Sequence, residues 1–177
     1  AVLANIGGVA SYVYAEPGTY SIRVVAMGAA SETSEQTFEF EATEIVQPVT
    51  AAPTPTRQQA NVISIYSDSY ADVNISELNP NWGQSTQLTE LQIDGNNTWF
   101  YSALNYTGIV TDYGNPTDLS GMSHVHFDYW TPDGTSLGLK LVNTAYGDGD
   151  PLKEDTENVG TMTQSGWVSV DITLADY

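Results

Sequence analysis

The sequence predicts an all-β protein, and two observations support that prediction. Short runs of β-branched and aromatic residues recur along the chain, with turn-forming Gly, Pro, Asn and Asp between them. No segment repeats its apolar residues at the 3.6-residue spacing of an amphipathic helix. Many short strands with this punctuation are typical of an antiparallel β-sandwich or jelly roll.

The first strands are predicted near the N-terminus. A Glu-Pro-Gly turn at residues 16–18 follows a short apolar run and precedes the alternating residues Tyr20, Ile22 and Val24. A second alternating strand at residues 37–43 places its phenylalanines on one face and its glutamates on the other. A hairpin and one further strand bury too little apolar surface to fold alone.

A proline-rich segment follows these strands. Residues 47–60 contain three prolines together with Thr and Ala, which favours an extended, semi-rigid spacer over a packed element. We therefore expect the C-terminal part of an immunoglobulin-like β-sandwich at residues 1–46, a linker at 47–60 and an antiparallel β-sandwich of the jelly-roll type at 61–177.

The last part of the chain contains six predicted strands. They lie at residues 62–66, 88–93, 99–110, 123–130, 137–143 and 166–174. Asn-, Gly- and Asp-rich turns separate them, as expected for antiparallel connections.

Composition excludes several classes of function. The net charge is −18 with only four basic residues, so nucleic acids and anionic membrane surfaces would be repelled. The chain has no cysteine, hence no disulfide framework, and no apolar run long enough to span a bilayer. No motif singles out a catalytic nucleophile, acid or base, so we expect no enzymatic activity. An acidic, aromatic, Thr- and Asn-rich composition is typical of bacterial extracellular β-sandwiches.

The strand at residues 123–130 alternates between two kinds of side chain. Its apolar side, expected to face the core, holds Val125, Phe127 and Tyr129. Its other side holds His124, His126, Asp128 and Trp130. Sugars stack their C–H faces on aromatic rings while amides and charged groups bond their hydroxyls. This side therefore indicates a carbohydrate-binding face.

Neighbouring segments extend the predicted face. Leu104 and Tyr106 are interpreted as core, which places Asn105 on the opposite side, and Lys140 lies opposite a run of leucines. The predicted carbohydrate-binding residues are Trp82, Trp99, Asn105, His126, Asp128, Trp130, Lys140 and Tyr146. We expect Trp82 and Trp130 to be stacking platforms, Trp99 and Tyr146 to be peripheral, and the others to bond hydroxyls.

Structural explanations exist for the same residues. Trp99, Trp130 and Trp167 also suit core positions, and Lys140 with Asp128 suits a structural ion pair between neighbouring strands. Trp82 lies in a polar, turn-rich loop and is either a plug over the core or a ligand platform.

Two short motifs contain metal-ligand residue types. His124-x-His126 with Asp128 beyond it has ligands for a transition metal such as zinc, but this spacing is equally natural for a hydrogen-bonding face, and we do not predict a zinc site. Asp148 and Asp150 form an Asp-x-Asp loop suited to Ca²⁺, although the full EF-hand spacing is absent. A solvated acidic turn explains this loop equally well.

Two segments resemble known modules. Tyr12-Val-Tyr-Ala-Glu-Pro-Gly-Thr-Tyr-Ser-Ile-Arg-Val resembles the closing strands of a PKD domain. Val62-Ile-Ser-Ile-Tyr-Ser-Asp, Met122-Ser-His-Val-His-Phe-Asp-Tyr-Trp and Gly166-Trp-Val-Ser-Val-Asp-Ile-Thr-Leu resemble a jelly-roll carbohydrate-binding module of polysaccharide-degrading bacteria. The resemblance implies opening strands before residue 1 and closing strands after residue 177. It also implies a structural Ca²⁺ near the first and last strands, which makes Asp68 a third metal candidate.

The resemblance also implies a function and a location. Such modules occur on β-glucanases and in surface glycan-binding lipoproteins that serve outer-membrane glycan importers. We therefore expect non-catalytic binding of a polysaccharide or oligosaccharide, such as the β-glucan laminarin, at the outward-facing bacterial outer membrane or in the secreted state. The alternatives are an assembly module within a glycan-importer or adhesin complex, and an accessory module of a glycoside hydrolase.

Overall fold

A computed structural model describes residues 17–27, 32–42 and 46–177, and these form an all-β protein. The described residues contain ten strands and two single-turn 3₁₀ helices, Gln59–Asn61 and Leu174–Asp176. The strands pair antiparallel in five two-stranded sheets. The predicted fold class is therefore confirmed as far as an all-β protein with antiparallel sheets. Neither helix in this part of the chain is long or apolar enough to cross a membrane.

The strands are numbered in chain order. They are β1 (Gly18–Met27), β2 (Thr33–Ala42), β3 (Glu77–Leu78), β4 (Gln87–Ile93), β5 (Asn96–Ser102), β6 (Ile109–Val110), β7 (His124–Tyr129), β8 (Gly138–Val142), β9 (Glu154–Asn158) and β10 (Val168–Thr173). Strands β1 and β2, β4 and β5, and β8 and β9 pair with their neighbours in sequence, whereas β3 pairs with β6 and β7 with β10. The chain divides into two compact units, Ala1–Val46 and Gln47–Tyr177.

The described part of the first unit is one amphipathic hairpin. Ile22 lies opposite Phe38 and Tyr20 opposite Phe40, while Ser21 opposite Glu39 belongs to the other, polar face. The predicted alternation of this region is therefore confirmed over β1 and β2. The strand predicted before Glu16 lies outside the described residues.

The buried core of the second unit is small. Among the described residues its buried apolar side chains are Ile93, Tyr129 and Ile172. Tyr129 and Ile172 come from β7 and β10, whose register runs without a bulge from Tyr129 opposite Val168 to His124 opposite Thr173. Exposure alternates as predicted from His124 to Phe127 and Tyr129 is buried, whereas Asp128, predicted on the polar side, is half-buried.

Two predicted strands differ from the observed ones because of local backbone geometry. Residues 62–66 contribute only an isolated bridge from Ser64 to Asp72. The strand predicted at 99–110 ends at Ser102, because Ala103 has a φ of 50° and breaks the alternation.

The break at Ala103 makes one sequence interpretation wrong. Leu104 and Tyr106 were expected in the core, yet they are 47% and 43% exposed. An alternating pattern assigns faces only while the backbone stays extended, and a left-handed residue reverses the sides that follow it.

The proline-rich segment belongs to the second unit and makes hydrogen bonds to the rest of it. The indole Nε1 of Trp167 donates to the carbonyl of Thr50 at 2.8 Å, and the hydroxyl of Tyr70 donates to the carbonyl of Arg57 at 2.8 Å. The side-chain oxygen of Gln59 accepts from the amide of Ala71 at 2.7 Å. These hydrogen bonds hold the segment against the rest of the second unit.

The small core leads to a first prediction. Replacing Ile93, which is 3% exposed, with Ala should lower the free energy of unfolding by about 2–5 kcal/mol, because a cavity replaces packed methyl groups. The same substitution at Ile109, which is 43% exposed, should cost less than about 1 kcal/mol. Urea unfolding of both variants provides the comparison. Equal losses would show that Ile93 does not belong to the core that stabilises this unit.

Candidate carbohydrate-binding site

An exposed tryptophan stands on the loop between β3 and β4. Trp82 is 52% exposed, whereas Trp99, Trp130 and Trp167 are half-buried. About half of this side chain is therefore open to solvent. It presents a large apolar ring to solvent, and such a ring offers a surface for stacking.

The Trp82 loop is closed by one glutamine side chain. The Nε2 group of Gln84 donates to Asn79 Oδ1 at 2.8 Å and to the Pro80 carbonyl at 2.6 Å. Its Oε1 accepts from the amide of Trp82 at 2.8 Å. The tight path also needs left-handed backbone at Asn79 and Gly83, with φ of 49° and 90°, and both residue types tolerate it.

Asn79 joins this loop to the chain before β6. Its amide donates to the carbonyl of Gly108 at 2.8 Å, and its Oδ1 accepts from the hydroxyl of Thr107 at 3.0 Å. Its Nδ2 donates to the carbonyl of Thr86 at 3.2 Å. One polar side chain therefore satisfies groups from two segments that are distant in sequence.

A buried hydroxyl ties the same two segments together. Thr86 is 1% exposed, and its Oγ1 donates to the carbonyl of Tyr106 at 2.6 Å while accepting from the amide of Asn105 at 3.1 Å. The Oδ1 of Asn105 accepts from the amide of Ser85 at 2.9 Å. Asn105, a predicted hydroxyl-binding residue, thus uses its carbonyl oxygen within the protein.

Tyr106 lies beside Trp82 on the surface. Its hydroxyl donates to the carbonyl of Trp82 at 2.7 Å, and its ring is half-exposed. The aromatic platform is the name used below for these two residues with the segments 79–86 and 103–108 that hold them.

Trp99 belongs to a packed aromatic cluster. Its ring stacks on Tyr66 with centroids 4.0 Å apart and meets Tyr101 edge-on at 6.4 Å. The hydroxyl of Tyr66 donates to Glu90 Oε2 at 2.8 Å. Burial is the main cause of the raised pKa of Tyr66, and the hydrogen bond to Glu90 and the charge of Glu90 raise that pKa further. Burial also raises the pKa of Tyr101 to about 12. Since Tyr66 covers one face of Trp99, that face is closed to a ligand.

The polar side of β7 is completed by residues from β10. His126 Nδ1 lies 2.9 Å from Asp171 Oδ1, and its Nε2 lies 3.8 Å from Asp128 Oδ1. The hydroxyl of Ser169 donates to Asp128 Oδ1. Ser169 and Asp171 were missed by sequence reasoning, because their alternation was visible but the pairing of β10 with β7 was not. Trp130 follows the end of β7 and is half-buried.

Lys140 lies in a different two-stranded sheet from Asp128. Its Nζ donates to Glu154 Oε2 at 2.7 Å within the pair of β8 and β9, so the alternative of a Lys140–Asp128 ion pair is wrong. Such an exposed pair contributes little to stability. Tyr146 is exposed in the loop after β8, and no described hydrogen bond brings it or Lys140 to the polar side of β7.

The three predicted calcium ligands are not brought together. Both carboxylate oxygens of Asp68 accept from Asn97, at 2.6 Å from its amide and 2.9 Å from Nδ2. Asp148 pairs with Lys153, whose hydrogen bond and charge lower the pKa of that carboxyl, and Asp150 Oδ1 accepts from an amide within its own turn at 2.9 Å. Over the described ranges no three His, Asp or Glu residues are grouped to hold a metal ion.

Each of these carboxylates accepts from a different protein donor, whereas calcium needs six to eight oxygens around one point. Calcium stays a prediction of the sequence, and the function proposed below does not depend on it.

Comparison with protein families, curated proteins and solved structures found no match to the chain. The resemblances to a PKD domain and a jelly-roll module therefore stay predictions.

The buried hydroxyl of Thr86 leads to a second prediction. Replacing Thr86 with Val keeps the shape but leaves the carbonyl of Tyr106 and the amide of Asn105 without a partner. The free energy of unfolding should fall by about 1–3 kcal/mol. Thr89, exposed on β4, is the matched control, and its replacement by Val should change stability by about 0.5 kcal/mol or less. Urea unfolding measures both, and equal effects would contradict the assigned role of the hydroxyl.

Proposed function

We propose that this chain is a non-catalytic glycan-binding protein that acts at the bacterial cell surface or in the extracellular space. In this proposal the second unit is a jelly-roll module and the first is part of an immunoglobulin-like sandwich. The observation that carries the proposal is Trp82, an exposed indole on a loop closed by Gln84.

Sugar recognition needs two kinds of group, and both occur near Trp82. An aromatic ring accepts the apolar C–H face of a pyranose, while amides and hydroxyls bond the sugar oxygens. Asn81 precedes Trp82 in the loop, and Asn105 is held against Ser85 in the same platform. Because Trp82 and Asn105 are held by the fold, little conformational entropy is lost when a ligand orders them.

The polar side of β7 supplies further hydroxyl-bonding groups in this proposal. His126 and Asp128 are held by Asp171 and Ser169, so their orientations are fixed before a ligand arrives. We keep them as hydroxyl-bonding residues and Trp130 as a stacking platform. Trp99 is not included in the proposed binding site, since Tyr66 stacks on its ring and Tyr101 meets it edge-on.

The choice of glycan rests on the resemblance to modules of β-glucan-degrading bacteria. Laminarin is the first ligand to test, because it is an uncharged β-glucan and the acidic chain would not repel it.

The alternative function is assembly within a glycan-importer or adhesin complex. Exposed apolar residues on one face of the β1–β2 hairpin, Ile22, Val24 and Phe38, favour it, since such a face is suited to protein contact. Glycan binding and assembly involve different units, so substitutions in the two units distinguish them.

Two tryptophan variants provide the third prediction. Trp82→Ala should weaken laminarin binding about tenfold or more, since a stacking ring of this size contributes about 1–3 kcal/mol. Its melting temperature should fall less than that of Trp99→Ala, because Trp82 is 52% exposed. Trp99→Ala should show the opposite result, with lower stability, because it removes a packed ring.

Affinity electrophoresis in laminarin-containing gels and thermal unfolding measure these effects on the full chain. A series of other polysaccharides belongs in the same experiment. No retardation of the parent chain by any of them would overturn the proposed function. Retention of affinity by Trp82→Ala would place the site elsewhere.

A further inference from the structure

We propose that the ligand contact is a two-ring site made by Trp82 and Tyr106, that Gly108 positions the indole, and that the site selects uncharged, hydroxyl-rich chains. This inference rests on the proposed function and adds the second ring, the positioning residue and the class of ligand.

The ring of Trp82 packs against Gly108. A Cβ built on Gly108 would lie 2.4 Å from Cζ3, 2.7 Å from Cη2 and 3.2 Å from Cε3 of the indole. These three atoms belong to the six-membered ring, so that ring lies directly against the backbone of this buried glycine. Any larger residue at this position would push the ring away from its place.

Tyr106 is held through both its backbone carbonyl and its side-chain hydroxyl. Its carbonyl accepts from the buried hydroxyl of Thr86, and its own hydroxyl donates to the Trp82 carbonyl at 2.7 Å. Its half-exposed ring therefore has a fixed position next to the Trp82 loop. Sequence reasoning assigned this tyrosine to the core, so the second ring became visible only with the break at Ala103.

Donors for sugar hydroxyls remain free around the two rings. Among the described residues, no partner bonds the indole Nε1 of Trp82, the side-chain amide of Asn81 or the Nδ2 of Asn105. The carbonyl oxygen of Asn105 is used by Ser85, which fixes the plane of the amide and so the direction of its donor.

The surroundings of the platform are uncharged. No Asp, Glu, Lys or Arg occurs at residues 78–89 or 95–111, although the chain has 22 acidic residues. Hydrophobic rings, amides and hydroxyls without counter-charges suit a neutral polyol, and they offer nothing to neutralise a sulfate or uronate.

The few cations of the protein are engaged elsewhere. Arg23 pairs with Glu35 at 3.5 Å, Lys140 with Glu154 at 2.7 Å, and Lys153 with Asp148. The fourth, Arg57, lies in the proline-rich segment outside both platform segments. A polyanion would therefore meet a net charge of −18 with no cation at the site.

A pair of glycine variants tests the positioning role. Gly108→Ala should weaken laminarin binding about tenfold, because the displaced ring loses stacking of the size estimated for Trp82. Gly121→Ala is the matched control, because a Cβ there meets no atom within 4 Å, and its affinity should change less than about twofold. Equal affinities for the two variants would overturn the role of Gly108.

A double-mutant cycle separates positioning from general destabilisation. In the parent chain, Gly108→Ala should lower the melting temperature, whereas in the Trp82→Ala background the same substitution should have little effect, because no ring remains to collide. Equal losses in both backgrounds would show that Gly108 acts independently of the indole, and would overturn its assigned role.

The second ring and the ligand class are tested on the same gels. Tyr106→Ala should weaken laminarin binding about tenfold, while Tyr106→Phe, which keeps the ring, should lose less than about threefold. Alginate and a sulfated galactan should not retard the parent chain. Retardation by these polyanions comparable to that by laminarin would overturn the neutral class.

The outcomes also separate this inference from the function on which it rests. Laminarin binding that needs Trp82 but tolerates Tyr106→Ala would overturn the two-ring site and leave glycan binding intact. No binding to any polysaccharide would overturn both. Concentration-dependent self-association lost in Trp82→Ala, without glycan binding, would identify the platform as an interface between copies and likewise overturn both.

Discussion

One buried hydroxyl, that of Thr86, holds together the surface on which the proposed function depends. It bonds a carbonyl and an amide of the segment before β6 and thereby ties the start of β4 to residues 105 and 106. The described sheets have only two strands each and the apolar core is small. Where a large core is missing, satisfied polar contacts of this kind must define the structure, because each one left unpaired and buried costs about 1–3 kcal/mol.

The same network explains how a large ring can stay exposed. An unsupported indole on a mobile loop would fold back onto the nearest apolar surface, since burial of its area is favourable. Gln84 closes the loop, Asn79 joins it to the chain at Gly108, and the six-membered ring packs against Gly108, so Trp82 stays 52% exposed on a fixed support. The sheets then act as scaffold and the loops carry the binding groups, as in many β-proteins.

The sequence predicted what depends on neighbouring residues and missed what depends on distant ones. The sides of β7 were predictable, because alternation is local and His124 to Tyr129 remain extended. The pairing of β7 with β10 was not predictable from local pattern, so the position of Asp171 opposite His126 was missed. Strand β9 contains no apolar residue and gave no signal. Tyr106 was misassigned to the core because the left-handed residue Ala103 ends the alternation of β5 before it. The contact between Gly108 and Trp82 could not be predicted, because the sequence around neither residue indicates it.

The most direct test of the central claim follows the four indole N–H resonances during titration with a soluble laminarin oligosaccharide. Two-dimensional ¹H–¹⁵N spectra of the full chain, assigned with single Trp→Phe variants, resolve the four tryptophans. A saturable shift of the Trp82 indole resonance is expected, with those of Trp99 and Trp167 unmoved. A saturable shift at Trp99 or Trp130 with Trp82 unchanged would contradict it.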